Sequence, residues 1–232
     1  MKRILTAASI LFGFGLQAQD LPAPSPSATI EQRIGLTDFT LKYSRPSAKG
    51  REIYGSLVPY NEIWRTGANK ATSLEFNTPI QFGDTEVPAG TYSLFTIPNE
   101  GAWVVILNKN TELWGADGYS EEQDVARVEI KAEKAHFAET FTAQFVNFRD
   151  GNSADLHIHW AEQKVNVPIK VEVQSVALAN IEKALKESKE EDLWRVNRNA
   201  ANYYLQNNLN MEQALAYISK SVELNAENWY SH

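Results

Sequence analysis

Hydrophobic and polar residues alternate in short bursts from about residue 30 onward. Ile34 and Leu36, then Phe39, Leu41 and Tyr43, follow a period of two, with a change of phase at Thr37-Asp38 where a bulge or tight bend fits. Short strands are predicted around Leu74 and Phe76, around Ile80 and Phe82, and over residues 92–97. Gly83-Asp84 and Pro88-Ala89-Gly90 are the turns between them. Residues 103–107 (WVVIL) are apolar throughout, the pattern of a strand covered on both faces. Further strands are predicted over 125–130, 140–148, 156–160 and 165–173, the last with Val165, Val167, Ile169, Val171 and Val173 on one face. Many short strands with frequent turns predict a mainly β fold over residues 30–175, an antiparallel sandwich or a barrel-like domain.

At Val176 the period lengthens to about 3.6, and a small helical tail is predicted over residues 176–232. Its apolar stripes are Leu178, Ile181, Ala184 and Leu185, then Leu193, Val196, Ala200 and Tyr203 or Tyr204, then Ala214, Leu215, Ile218 and Val222. Asn210 with Gln213 three positions on reads as a capping box for the third helix. Ala201, Tyr204, Ala214, Ile218, Ser221 and Ala226 are spaced much as in a single tetratricopeptide repeat. The unit is degenerate, with Ala226 in place of the usual proline. The sequence ends at NWYSH, where a next helix would begin, so the tail reads as incomplete.

The first residues change the picture from fold to compartment. Lys2 and Arg3 precede an apolar run over 4–16, and Gln17-Ala18-Gln19 follows, the layout of a secretory signal over residues 1–19. The competing reading, a buried N-terminal helix, sits badly with Gly13 and Gly15. Residues 20–29, with LPAPSPSA at their centre, form a Pro/Ser-rich spacer. The mature protein is therefore expected to be exported, with no membrane span once the signal is removed. The sequence holds no cysteine, which excludes disulfides, thiol nucleophiles, thiolate metal sites and a lipid-anchored cysteine. A net charge of −7 argues against nucleic acid and against anionic membranes as partners.

Charge distribution then singles out one segment. Between Lys42 and Lys70 stand six basic residues (Lys42, Arg45, Lys49, Arg51, Arg65, Lys70) and two acidic ones (Glu52, Glu62), a local charge of +4 that leaves −11 elsewhere. Such an island is the place to seek an anion site. Arg45, Lys49, Arg51 and Arg65 are candidate donors to a carboxylate, phosphate or uronate, and Asn69 is a candidate orienting amide. The structural alternative is that these side chains bond loop carbonyls and pin a long irregular segment. The sequence further predicts that Arg65 and at least one of Arg45, Lys49 and Arg51 converge on a shared concave site.

Other chemistry is weaker. Asp155, His157 and His159 occupy alternate positions of one predicted strand, ~6.6 Å apart by strand rise, and are candidate metal ligands. The simpler expectation is Leu156, Ile158 and Trp160 in the core, with His157 and His159 outside and no metal. Trp114 and Tyr119, in a glycine-rich loop, are candidates for stacking on a sugar ring, whereas Trp103 and Trp160 fall at core-facing positions. Glu121, Glu122 and Asp124 read as a solvated acidic loop rather than a catalytic pair. There is no G-x-S-x-G elbow, H-E-x-x-H, P-loop or dinucleotide motif, and no cofactor is expected.

The segment YSRPSAKGREIYGSLVPYNEIWRTGANKAT, with VPAGTYSLFTIP and WVVILN after it, resembles the bacterial domain-of-unknown-function family numbered 2911 over about residues 30–173. The resemblance implies an exported protein of a Gram-negative bacterium, periplasmic or extracellular, often with a repeat-like helical tail and with no assigned activity. The expectation from the residues is a non-catalytic binding protein for a small anion or glycan at residues 43–72. The alternatives are a hydrolase of an anionic glycan and a module that docks a protein partner through the tail.

Overall fold

The computed structural model describes residues 21–226; the signal-peptide reading of residues 1–19 and the last six residues lie outside them. Among the described residues ten strands form two antiparallel sheets, and three α-helices follow. The six-stranded sheet runs in the order β1 (Ser27–Ile34), β2 (Thr37–Ser44), β3 (Thr72–Phe76), β6 (Gly90–Ile97), β7 (Ala102–Asn108), β8 (Asp124–Lys131). The four-stranded sheet runs β5 (Thr85–Val87), β4 (Ile80–Phe82), β10 (Ser153–Val171), β9 (Glu133–Arg149). The fold is thus a mainly β sandwich, as the alternation predicts.

Alternation decides which face of each strand meets the other sheet. On β2, Phe39, Leu41 and Tyr43 are buried while Asp38 and Lys42 are exposed. The phase change read at Thr37-Asp38 is a two-residue turn at Gly35-Leu36, with Ile34 paired to Thr37. Strand β1 starts at Ser27, so the end of the Pro/Ser-rich spacer is already sheet. Trp103, Val105 and Leu107 of β7 enter the main core, and Ile106 joins Phe95 and Ala71 in a second cluster on the outer face. The turn at Gly83 (φ 59°) brings β4–β5 so close to β8 that an added Cβ would lie 2.6 Å from Val128 Cγ1. That contact helps close the sandwich on one side.

The strands predicted separately at 156–160 and 165–173 are one 19-residue strand, β10. Ala154, Leu156, Ile158 and Trp160 are buried at even positions, then Val165, Val167, Ile169 and Val171 at odd ones. The register slips between His159 and Ala161 and again between Ala161 and Gln163, and Ala161 has φ 49°. A bulge changes which face a residue occupies without ending the strand, so the polar Glu162-Gln163-Lys164 reads as a break when it is a shift of phase.

Helices α1 (Gln174–Glu187), α2 (Leu193–Gln206) and α3 (Met211–Leu224) pack mainly through small residues, with Ala177, Ala200, Ala201, Ala214 and Ser221 buried. Asn210 caps α3, its Oδ1 accepting the Gln213 N–H at 3.1 Å. No helix among the described residues is long and apolar enough to cross a membrane.

Candidate functional site

Residues 45–71 leave β2 at one end of the sandwich and return as β3, tied down by an aromatic cluster. Trp64 exchanges both backbone hydrogen bonds with Thr96 of β6, at 2.7 and 2.9 Å. Its indole stacks on Trp160 at 6.0 Å and meets Tyr54, Trp103 and Phe141 edge-on at 6.3, 6.4 and 5.4 Å. Trp64 Nε1 donates to Gly67 O at 3.1 Å, closing the next turn.

That turn is strained. Thr66 is fully buried and β-branched yet sits at φ 55°, and Asn69 sits at φ 61°. Such conformations cost ~1–3 kcal/mol each and persist only where surroundings over-determine them. Here the surroundings are hydroxyls: Thr72 Oγ1 donates to Thr66 O, and Thr66 Oγ1 donates to Thr96 Oγ1 at 3.2 Å. Gly67 (φ 141°) passes close to β2, where a Cβ would lie 3.0 Å from Ser44 O. Of the eight non-glycine residues at positive φ among the described residues, Lys49, Asn61, Thr66 and Asn69 fall in this one segment.

The predicted site residues take different roles. Arg45 donates from Nε to Phe141 O and from Nη2 to Thr142 Oγ1, both at 3.2 Å, and so ties the segment to β9. Asn69 Nδ2 donates to Ser44 Oγ at 3.2 Å and to Ser25 O at 3.4 Å. Lys49 is exposed at a tight turn, its backbone N–H held by Glu139 Oε1 at 2.8 Å. Arg51 donates from Nε to Ala48 O at 2.9 Å and from Nη2 to Ser47 O at 2.7 Å. Arg65 Nε is buried with no hydrogen-bond partner among the described residues. A Cβ on Gly115 would lie 3.7 Å from Arg65 Nη1, which places that guanidinium under the 114–119 loop. Among the described residues, none of these four cations has a side-chain nitrogen within 4.0 Å of a carboxylate.

Arg51 and Arg65 border the same cavity, about 240 Å³, walled also by Leu57, Val58, Trp64 and Trp160. Among the described residues, neither a carboxylate nor a histidine lines it. A second cavity of about 300 Å³ opens on the other side of Arg51, towards Tyr54, Tyr60 and Gln163. Tyr54 is 8% exposed and its hydroxyl has no partner among the described residues; burial, then the neighbouring Tyr60, pushes its phenol well above the ordinary tyrosine range. These tyrosines were not singled out by the sequence. Their signal lay inside the same island, in Ile53-Tyr54-Gly55 and Val58-Pro59-Tyr60. A third space, about 420 Å³ and apolar, is the seam between the β1–β2 turn and helices α1 and α2.

In the 109–123 loop, Trp114 is 72% exposed. Tyr119 is half-buried, its ring 5.2 Å from Phe95 and its hydroxyl donated to Asp124 Oδ2 at 2.6 Å. Burial, then that hydrogen bond, pushes its phenol up. Asp124 does not belong to a solvated acidic loop: its side chain is 5% exposed and also accepts from Asn108 Nδ2 and Arg127 Nη1, each at 2.7 Å. The loop's polar groups turn inward to pin it over the Phe95–Ile106 cluster.

On β10, Leu156, Ile158 and Trp160 are buried as expected. His157 is half-buried, more exposed than Leu156 and Ile158 on either side as expected, but the expected exposure of His159 is corrected: it is only 7% exposed. The cause is His136 of β9, whose ring meets His159 at 4.9 Å and whose carbonyl lies 3.0 Å from His159 Nε2. Burial holds the His159 imidazole below the ordinary histidine range, against the hydrogen bond to His136 and with the charges of His157 and His136. His157 Nδ1 pairs with Asn166 Oδ1 at 2.7 Å. Asp155 is 8% exposed and is held by Arg149 and Asn147; the Arg149 hydrogen bond keeps its carboxyl below the usual range. Among the described residues no cluster of three histidine or acidic side chains is arranged to hold a metal.

No curated protein and no solved structure matches the chain. The family model described as protein of unknown function (DUF2911) matches residues 25–169, which spans both sheets and every cavity wall around Arg51. The chain belongs to the DUF2911 family.

Proposed function

We propose that this protein is an exported, non-catalytic binding protein whose ligand site is the cleft bordered by Arg51 and Arg65, and that the ligand is a small organic anion. One observation carries the reading: two arginines border one small cavity, and among the described residues no carboxylate lines it or lies within 4.0 Å of either guanidinium. Gathering like charges costs free energy unless an anion offsets it. Arginine presents a planar fork suited to a carboxylate, and the Trp64 and Trp160 walls suit an apolar or ring-shaped body. The clustered backbone strain supports a site held in shape rather than a passive connection. The lining offers donors and no general base, which favours binding over glycan hydrolysis.

The test is thermal stabilisation by sodium glucuronate, acetate and inorganic phosphate. Stabilisation of the wild type by at least one anion is expected, and its loss in Arg65→Ala with little change in the ligand-free melting temperature. No response to any of the three, with an Arg65→Ala protein that melts several degrees lower, would make the island a structural network. A second reading, docking of a protein partner through a tetratricopeptide-like tail, draws support from Leu205, Met211 and Leu215, which are 56%, 53% and 59% exposed. Removal of the tail would abolish such docking and leave anion binding intact.

A further inference from the structure

The cavity on the far side of Arg51 has a different chemistry, and it reaches beyond the anion reading. Its polar side chains include Arg51, Glu52 and Glu162, two carboxylates to one guanidinium, so it does not select an anion. Its apolar lining joins Ile53 and Ala161 to three rings, Tyr54, Tyr60 and Phe137, the last 53% exposed although large and hydrophobic. Gln163 is fixed at both ends, Oε1 accepting from Trp103 Nε1 at 3.2 Å and Nε2 donating to Tyr60 Oη at 3.0 Å. The phase shift at Ala161 is what brings Gln163 to the core side of β10, where these partners are. Tyr60 therefore accepts from Gln163 and keeps its own proton to donate, while the buried Tyr54 hydroxyl lacks any partner.

We propose that this cavity is a saccharide subsite that takes one neutral sugar ring, with Phe137 and Tyr60 against the ring face and Glu52, Glu162 and Arg51 on its hydroxyls. Carboxylates accept from vicinal hydroxyls and a guanidinium donates to them, so a mixed set around aromatic rings suits a polyol better than a charged group. A volume of about 300 Å³ lies at the small end for ligand sites, ~300–1,000 Å³, and suits a single ring rather than a chain. Arg51 borders both cavities, so a neutral ring here and an anionic group in the neighbouring cleft can belong to one glycan.

The experiment is a printed array of neutral and acidic glycans, followed by titration of any bound neutral sugar against intrinsic tryptophan fluorescence. Trp103, bonded to Gln163, is the expected reporter. Saturable binding of a neutral sugar is expected, weakened at least tenfold in Phe137→Ala and in Glu162→Gln, and retained in Arg65→Ala. Both variants change half-buried or exposed positions, and an unchanged melting temperature confirms their fold; Glu162→Gln carries the test if Phe137→Ala does not fold. Binding of no neutral glycan, or equal binding by both variants, overturns the subsite. Failure here with Arg65-dependent glucuronate stabilisation intact would remove the subsite and leave the anion cleft, and the reverse pattern would do the opposite.

Discussion

Replacement of Trp64 tests whether the aromatic cluster, rather than the arginines, holds residues 45–71 in place. The indole is 9% exposed, touches four other rings, and closes the Thr66-Gly67 turn through Nε1. Truncation of such a side chain to alanine removes its transfer free energy and leaves a cavity, ~3–5 kcal/mol together. Loss of the Nε1 bond to Gly67 O is part of that total, about 1 kcal/mol. Trp64→Phe keeps most of the ring contact and gives up the bond and some volume, so about 1–2 kcal/mol is expected. For a domain of this size 1 kcal/mol moves the midpoint by roughly 2–4 °C, so Trp64→Ala should melt about 6–20 °C lower. Urea unfolding followed by circular dichroism gives the free energies directly, with an unchanged slope showing that the unfolded state is the same. Trp64→Ala melting well below both Trp64→Phe and Arg45→Ala is the signature. A cost for Trp64→Ala under about 1 kcal/mol would refute the argument, since it would mean that the segment is held elsewhere.

Two further outcomes follow from the same structure. His159 is held below its ordinary value, so the unfolded chain binds its proton first; its contribution is complete above pH about 6.5 and is lost as the pH falls through its depressed folded value. Stability measured by urea titration should decline as the pH falls below about 6.5, and His159→Gln should flatten that decline; an unchanged slope would place the proton elsewhere. Gly83→Ala puts a methyl 2.6 Å from Val128 Cγ1 at φ 59°, so a loss of more than about 1 kcal/mol is expected, partly restored by Val128→Ala in a double-mutant cycle; additivity of the two changes would contradict the contact.

The sheets were legible because burial imposes alternation, which β2 shows residue by residue, and because the unbroken apolar run of β7 matches its cover on both faces. The long β10 was not read as one strand, because a bulge reverses the phase where Glu162, Gln163 and Lys164 imitate a turn. The island announced itself through charge, but charge alone does not distinguish Arg45, which serves two acceptors on β9, from Arg51, which stands between two cavities. That difference depends on how residues 46–64 cross the end of the sandwich, and no local pattern carries it. His159 was misplaced for a similar reason: the partner that covers it, His136, lies 23 positions away on the neighbouring strand.

The pairing of β4 with β10 has a consequence for how the molecule assembles. Residues 80–82 find their sheet partners in residues 169–171, at the far end of the last strand, and in the three-residue β5. Until residues 169–171 are made, Ile80 and Phe82 lack the strand partner that covers one edge of β4. The six-stranded sheet can grow by successive neighbours, apart from the step from β3 to β6, whereas the small sheet waits for the long β9–β10 hairpin. Closing that long loop carries an entropy cost that grows with the separation of its ends, so the pairing of β4 with β10 asks more of the unfolded chain than the hairpins of the six-stranded sheet do.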